Sequence, residues 1–211
     1  MTLAFVTGTG TDIGKTWWSA AVLRALRARG VSVAARKPAQ SFVPDDLGTG
    51  VTDAHVLGAA SGEAAEEVCP PARWYERALA PPMAAAALGR PRFTIADLAG
   101  ETTVPPRAGI TLVEGAGGPR SPLSDDGDNI DFARALGPGS LLLVADAGLG
   151  TINAVRLAAA ALADVAVPIV VALNRFDADE ALHAANRTWL THRYGFDTVV
   201  DPEELATRWA M

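Results

Sequence analysis

Three groups of residues have the types and spacing to do chemistry. The first is Gly8-Thr9-Gly10-Thr11-Asp12-Ile13-Gly14-Lys15-Thr16, directly behind an apolar run. Glycines let the backbone curl so that its N–H groups face an anion, and the helix start behind them adds its dipole. Lys15 offers charge to β- and γ-phosphates, and the Thr16 hydroxyl suits Mg²⁺. Five residues separate Gly8 from Gly14, one more than the standard GxxxxGK[ST] loop allows. The second group is Lys37-Pro38-Ala39-Gln40-Ser41. Lys37 is either a phosphate-holding cation or a solvated lysine at a strand end. The third is Glu114, which ends the apolar run Thr111-Leu112-Val113 and precedes Gly115-Ala116-Gly117-Gly118. Its carboxylate is either a Mg²⁺ ligand, direct or through water, or a buried acid met by backbone donors.

Weaker signals accompany these. Asp53 opens a helix, where a carboxylate is favourable in itself, or serves as a further Mg²⁺ ligand. Asn174 follows an apolar run; its amide matches an adenine edge, but asparagine also favours turns. Trp17 and Trp18 are expected to pack the first helix rather than stack on a base. His55, His183 and His192 are scattered, and His183 and His192 read as structural or exposed.

Elements must bring these groups together. Apolar runs at residues 3–7, 31–36, 110–114, 141–146 and 167–174, with a short one at 198–200, read as strands. Near-continuous apolar strands imply burial on both faces, hence a mostly parallel sheet with helices on both sides. Helices are expected at 15–29 (stopped by Gly30), 53–60, 84–88, 95–101, 130–136, 153–163 and 180–194, with a short tail helix. Residues 45–50 and 70–83 are expected as loops over one edge. No repeat or composition shift divides residues 1–211, so one α/β domain is expected. In such sheets ligands bind beyond the carboxyl ends of the strands. All three chemical groups lie at such ends, as do 146–153 and Asn174.

Composition narrows the partners. The 211 residues are 49 % apolar and 20 % charged, with net charge −6. This gives no diffuse basic surface for nucleic acid. Cys69 is the only cysteine, so an internal disulfide is impossible and a zinc site is not expected. Neither a signal peptide nor a membrane span is read from the sequence, and a cytoplasmic protein is expected.

The strings VTGTGTDIGKT, RKPAQS, TDAHVL, LVEGAGG, DAGLGTIN and the strand-end Asn174 occur in one order and spacing. Together they resemble the dethiobiotin synthetase family, P-loop enzymes of biotin synthesis, from residue 3 to about residue 175. The resemblance implies an ATP-dependent ring-forming ligase acting on 7,8-diaminopelargonate and CO₂. One amine takes up CO₂ as a carbamate, ATP phosphorylates the carbamate, and the second amine closes the ureido ring and releases phosphate. That chemistry needs positioning and charge stabilisation rather than a nucleophilic side chain.

By resemblance, Gly10, Thr11, Asp12, Ile13, Gly14, Lys15 and Thr16 bind nucleotide with Glu114, and Asn174 reads adenine. Lys15, Lys37 and Thr11 are catalytic, with both lysines on the γ-phosphate and carbamate. Mg²⁺ is held by Thr16, Asp53 and Glu114. Ser41, Gly117 and Gly118 face the substrate. The family site lies at a homodimer interface, where Thr151, Ile152 and Asn153 reach the partner's substrate carboxylate. Two departures stand out. Phe42 replaces a usual glycine, and Arg120 is expected to add charge near the substrate.

Two alternatives come from P-loop relatives. An amidotransferase-type ligase normally carries a glutaminase cysteine, whereas Cys69 lies in a proline-containing stretch. A partitioning-type ATPase normally has a second lysine early in the phosphate loop, where this chain has Thr9, Gly10 and Thr11.

Overall fold

The computed structural model describes residues 2–44 and 52–210; the expected loop at 45–50 lies outside them. The chain begins with β1 (Thr2–Gly8), the phosphate-loop segment and α1 (Lys15–Ala28). β2 (Val33–Arg36) and a two-residue β3 (Gln40–Ser41) follow. After residue 51 come α2 (Asp53–Ser61), α3 (Ala65–Val68), β4 (Trp74–Tyr75), α4 (Pro81–Ala87) and α5 (Ile95–Glu101). The second half contains β5 (Ile110–Glu114), α6 (Asn129–Leu136), β6 (Ser140–Asp146), α7 (Thr151–Leu162) and β7 (Ile169–Asn174). It ends with α8 (Ala181–Thr188), β8 (Asp197–Val199) and α9 (Pro202–Trp209).

The main sheet has six strands in the order β2-β5-β1-β6-β7-β8, and every pairing in it is parallel. Side chains alternate between two cores. Val6, Leu112, Leu142, Val144 and Ala172 face α1, α2 and α9. Phe5, Val113, Leu141, Leu143 and Leu173 face α5, α6 and α7. Both faces of each inner strand are therefore buried, which is why these runs lack polar alternation.

Register sets the chemistry at the carboxyl edge. Glu114 on β5 pairs with Val6 on β1, and Val113 pairs with Arg36 on β2. Lys37, the residue after Arg36, is thereby delivered beside Glu114. The loop after β1 begins over the same edge, because β1 adjoins β5.

Three stretches differ from expectation. Residues 70–83 are not simply loop. Within them β4 pairs in parallel with β3, Gln40 opposite Trp74 and Ser41 opposite Tyr75. A two-residue strand has no periodicity to read. α4 starts at Pro81, because proline's fixed φ suits a first helical turn. The helix expected over 180–194 ends at Thr188 and continues as a π turn, Trp189–Arg193. The wider turn buries Leu190 and leads the chain into β8.

Leu142 is wholly buried mid-strand between its β1 and β7 neighbours. Leu142→Ala should therefore cost about 2–5 kcal/mol. A lower urea midpoint with an unchanged m-value would show it.

Candidate functional site

The site is assembled from charges that the sheet cannot leave unpaired. Lys37 is 2 % exposed and Glu114 is fully buried. The Lys37 ammonium lies 2.8 Å from Glu114 Oε1 and 2.7 Å from Asp53 Oδ2, and it also donates to the Gly115 carbonyl at 3.1 Å. Its three N–H groups thus have three acceptors. Burial pulls the ammonium down, but Asp53 and then Glu114 outweigh it and hold Lys37 above its ordinary pKa. The structure leaves no room for the reading of Lys37 as a solvated strand-end lysine.

Helix α1 supplies the other contacts to Glu114. Its first turn places Thr16 Oγ1 within 2.8 Å of Glu114 Oε1 and 2.9 Å of Asp53 Oδ1. One turn on, the Ser19 hydroxyl donates to Glu114 Oε2 at 2.6 Å. Thr16, Asp53 and Glu114 therefore converge as hard oxygen donors. No group of three His, Cys, Asp or Glu side chains suited to a metal occurs among the described residues. Two carboxylates and a hydroxyl fit Mg²⁺, which binds few protein oxygens and keeps waters or phosphate oxygens as its other ligands.

The phosphate loop is shaped from beneath. Gly14 has φ +94°, and an added Cβ would meet Asn174 Nδ2 at 2.1 Å, so only glycine fits. Asn174 Nδ2 donates to the Ile13 carbonyl at 2.8 Å. Arg175, itself at φ +56°, donates to the Asp12 carbonyl at 3.1 Å and pairs with Asp146 at 2.9 Å. Lys15 arches back to donate to the Gly10 carbonyl at 2.9 Å. Burial, and then the Lys37 charge, draw the Lys15 ammonium below its ordinary pKa.

A second glycine loop faces the first. Asp128 caps α6 by accepting from Ile130 and Asp131 N–H, which fixes buried Asn129 at the first helical position. The Asn129 amide donates to the Ala116 and Gly118 carbonyls at 2.7 and 2.8 Å and accepts from Ala116 N–H at 3.1 Å. A Cβ on Gly115 would meet Asn129 Oδ1 at 2.1 Å.

Above these groups opens a cavity of about 680 Å³. Of the sequence candidates, it is lined by Thr11, Asp12, Gly14, Lys15, Thr16, Lys37, Ser41, Asp53 and Gly117. Glu114 lies beneath it, through its bonds to Thr16 and Lys37. Gly10 and Ile13 contribute carbonyls to the loop's own bracing, and Gly118 packs near the Gly8 carbonyl. Thr151, Ile152 and Asn153 open α7 and are not part of this cavity's lining.

Other expectations are corrected. Arg120 is turned onto Asp128 at 3.0 Å and is absent from the lining, because the α6 cap attracts it. Trp18 packs the first helix as expected, but Trp17 is 57 % exposed and lines the cavity. Adjacent helical positions face different ways. Phe42 lines the cavity and packs edge-on against Trp74, ring centroids 6.4 Å apart. Sequence reasoning also missed Ser19, Asn129, Arg175 and Gln40. Ser19 could have been found as a small polar residue three positions after Thr16, on α1's buried side. Asn129 carried only a helix-start signal.

Residues 3–199 match a family described as an AAA domain. The chain is similar to curated proteins named ATP-dependent dethiobiotin synthetase BioD. To that of Anaeromyxobacter dehalogenans (strain 2CP-C) it is 39 % identical, over 90 % of this chain and 85 % of the relative. To that of Caulobacter sp. (strain K31) it is 41 % identical, over 85 % and 79 %. Among solved structures, the signal recognition particle receptor FtsY of Elizabethkingia anophelis superposes with a TM-score of 0.53 at 12 % identity. That superposition covers all of this chain but 65 % of FtsY. At that identity the likeness shows the P-loop α/β fold alone.

Asp53 responds to pH in a definite direction. Burial pushes the Asp53 carboxyl up, but Lys37, and then Thr16, outweigh it and hold it below its ordinary value. A depressed folded pKa gives stability that is present above the unfolded value, about 3.9. That stability is lost as pH falls through the folded one. Asp53→Asn should therefore flatten the fall in stability below about pH 4, read as urea midpoints across the acid range.

Proposed function

The chain belongs to the ATP-dependent dethiobiotin synthetase family, ATP-dependent ring-closing ligases of biotin biosynthesis, and from that premise we propose how its residues divide the work. The substrates are 7,8-diaminopelargonate, CO₂ or bicarbonate, and ATP. One amine attacks CO₂, losing a proton and leaving a carbamate. A carbamate oxygen attacks the γ-phosphorus as its bond to ADP breaks. The second amine then attacks the mixed-anhydride carbon and loses a proton, and phosphate leaves with the electron pair of its bond to that carbon.

The observation that carries this reading is the cluster of buried Lys37 and Glu114 with half-buried Asp53 and Thr16, set under a cavity bounded by the phosphate loop and Ser41. It is a charge-handling site without an activated nucleophile, which suits phosphoryl transfer to a bound carbamate. Lys15 and the loop from Gly10 to Thr16 hold the phosphates, and Lys37 stabilises charge on the transferring group. Thr11, Ser41, Gly117 and Gly118 face the diamine and carbamate. Asn174 is a buried brace of the loop through one amide N–H; its remaining donor and acceptor are its means of meeting adenine. Thr16, Asp53 and Glu114 would hold Mg²⁺, which neutralises developing charge on the phosphates.

The AAA-domain match over residues 3–199 supports reading residues 1–211 as one ATP-binding domain. No helix among the described residues is long and apolar enough to cross a membrane, and we read the enzyme as cytoplasmic. We also read it as a homodimer whose second subunit contributes Thr151, Ile152 and Asn153. Leu149 and Leu157, around that helix start, are 92 % and 65 % exposed, which supports a covering partner.

Purified protein given ATP, Mg²⁺, diamine and bicarbonate should form dethiobiotin, with ATP hydrolysis dependent on both the diamine and bicarbonate. No product with all four present would overturn the substrate assignment. Lys37→Gln should lower turnover by about 10²–10³-fold while ADP binding by calorimetry stays near wild type. Wild-type rates in that variant would remove Lys37 from the reaction. Leu157→Arg should shift sedimentation toward monomer and abolish dethiobiotin formation while sparing ADP binding. An intact, active dimer would sink the shared-site reading.

A further inference from the structure

Gln40 has one satisfied end and one bare end. The residue is 2 % exposed. Its Oε1 accepts from Ala54 N–H at 2.9 Å, which pins the first turn of α2 one residue after Asp53 and fixes which end is oxygen. The other end, Nε2, is buried with no hydrogen-bond partner among the described residues, and so is Ser41 Oγ. Both residues line the cavity. A buried donor left unmade is costly, and folded proteins keep few of them. Two adjacent ones on a ligand cavity imply acceptors that arrive with the ligand.

The nearby cations are committed elsewhere in this arrangement. Lys37 directs its N–H groups to Asp53, Glu114 and the Gly115 carbonyl. Lys15 is turned onto the Gly10 carbonyl. The orphan donors on the β3 wall are neutral: an amide and a hydroxyl. A neutral donor orients an anionic oxygen while drawing less charge from it than an ammonium would. That suits an anion that must remain nucleophilic.

We propose that Gln40 is a substrate-contacting residue whose Nε2 donor holds the carboxylate group of the carbamate. This rests on the reaction proposed above. One carbamate oxygen accepts from Gln40, and the other is left to attack the γ-phosphorus. The bond from that phosphorus to ADP breaks, and its electron pair leaves with ADP. Gln40 makes and breaks no covalent bond.

Two variants test this against a merely structural role. Gln40→Glu keeps an oxygen for Ala54 N–H, so α2 and Asp53 stay in place, but it replaces the donor with a repelling oxygen. Dethiobiotin formation should fall about 100-fold or more, while ADP binding stays near wild type and the added buried carboxylate lowers the thermal midpoint. Gln40→Met removes the donor without adding charge, so it separates loss of the donor from repulsion; because it also removes the acceptor for Ala54 N–H, ADP binding and the thermal midpoint are read beside its turnover. Its loss should appear in the dependence on bicarbonate and diamine rather than on ATP. Wild-type turnover in either variant, or a loss confined to the KM for ATP, would overturn the role. Wild-type protein that makes no dethiobiotin would overturn the reaction and this role with it. Active wild type with unaffected variants would overturn Gln40 alone.

Discussion

The buried ammonium of Lys37, held between Glu114 and Asp53, is the interaction around which the site is arranged. An isolated charge in a sheet interior costs several kcal/mol, and here both acids meet the one ammonium. The surrounding structure meets that cost with specific groups. Strand order places β2 against β5, so the residue after Arg36 arrives beside Glu114. Helix α1, entering from the adjacent β1, adds the Thr16 and Ser19 hydroxyls. Helix α2 brings Asp53 from above, with its first turn tied to Gln40. The strand that supplies the lysine, the helix that supplies the second acid and the loop that arches over both are thus mutually dependent.

The same economy governs the two glycine loops. Each is braced by an asparagine from another element: Asn174 for the phosphate loop, with its neighbour Arg175 beside it, and Asn129 for the loop after β5. Each brace occupies the space that a Cβ would need on the facing Gly14 or Gly115. The glycines therefore serve two ends, turn geometry and close approach of an amide. Preorganised in this way, the loops need little rearrangement to meet developing charge, which is where electrostatic catalysis draws its effect.

The errors in reading the sequence fall where local signals compete with tertiary demands. Pro81 reads as a loop residue but begins a helix, since proline is tolerated in a first turn. β3 and β4 are two residues each and exist only because they meet. Arg120 reads as a substrate charge, yet the α6 cap claims it. Trp17 and Trp18 are indistinguishable in type, but helical geometry buries one and exposes the other at the cavity.

From the sequence by itself came the six main strands, their burial on both faces, the phosphate loop with its extra residue, and the family. These rest on local patterns: apolar runs, glycine spacing and lysine or acid at a strand end. Tertiary structure alone decided which of those strand ends meet. Strand order and register, set by long-range pairing, put Lys37 beside Glu114 rather than in solvent. They also recruited Ser19 and Arg175, whose partners Glu114 and Asp12 lie far away in the chain. The amide of Gln40 was left bare at the cavity wall for the same reason. A side chain's hydrogen-bond partners are a property of the assembled fold, and no local pattern encodes which of its atoms will be left without one.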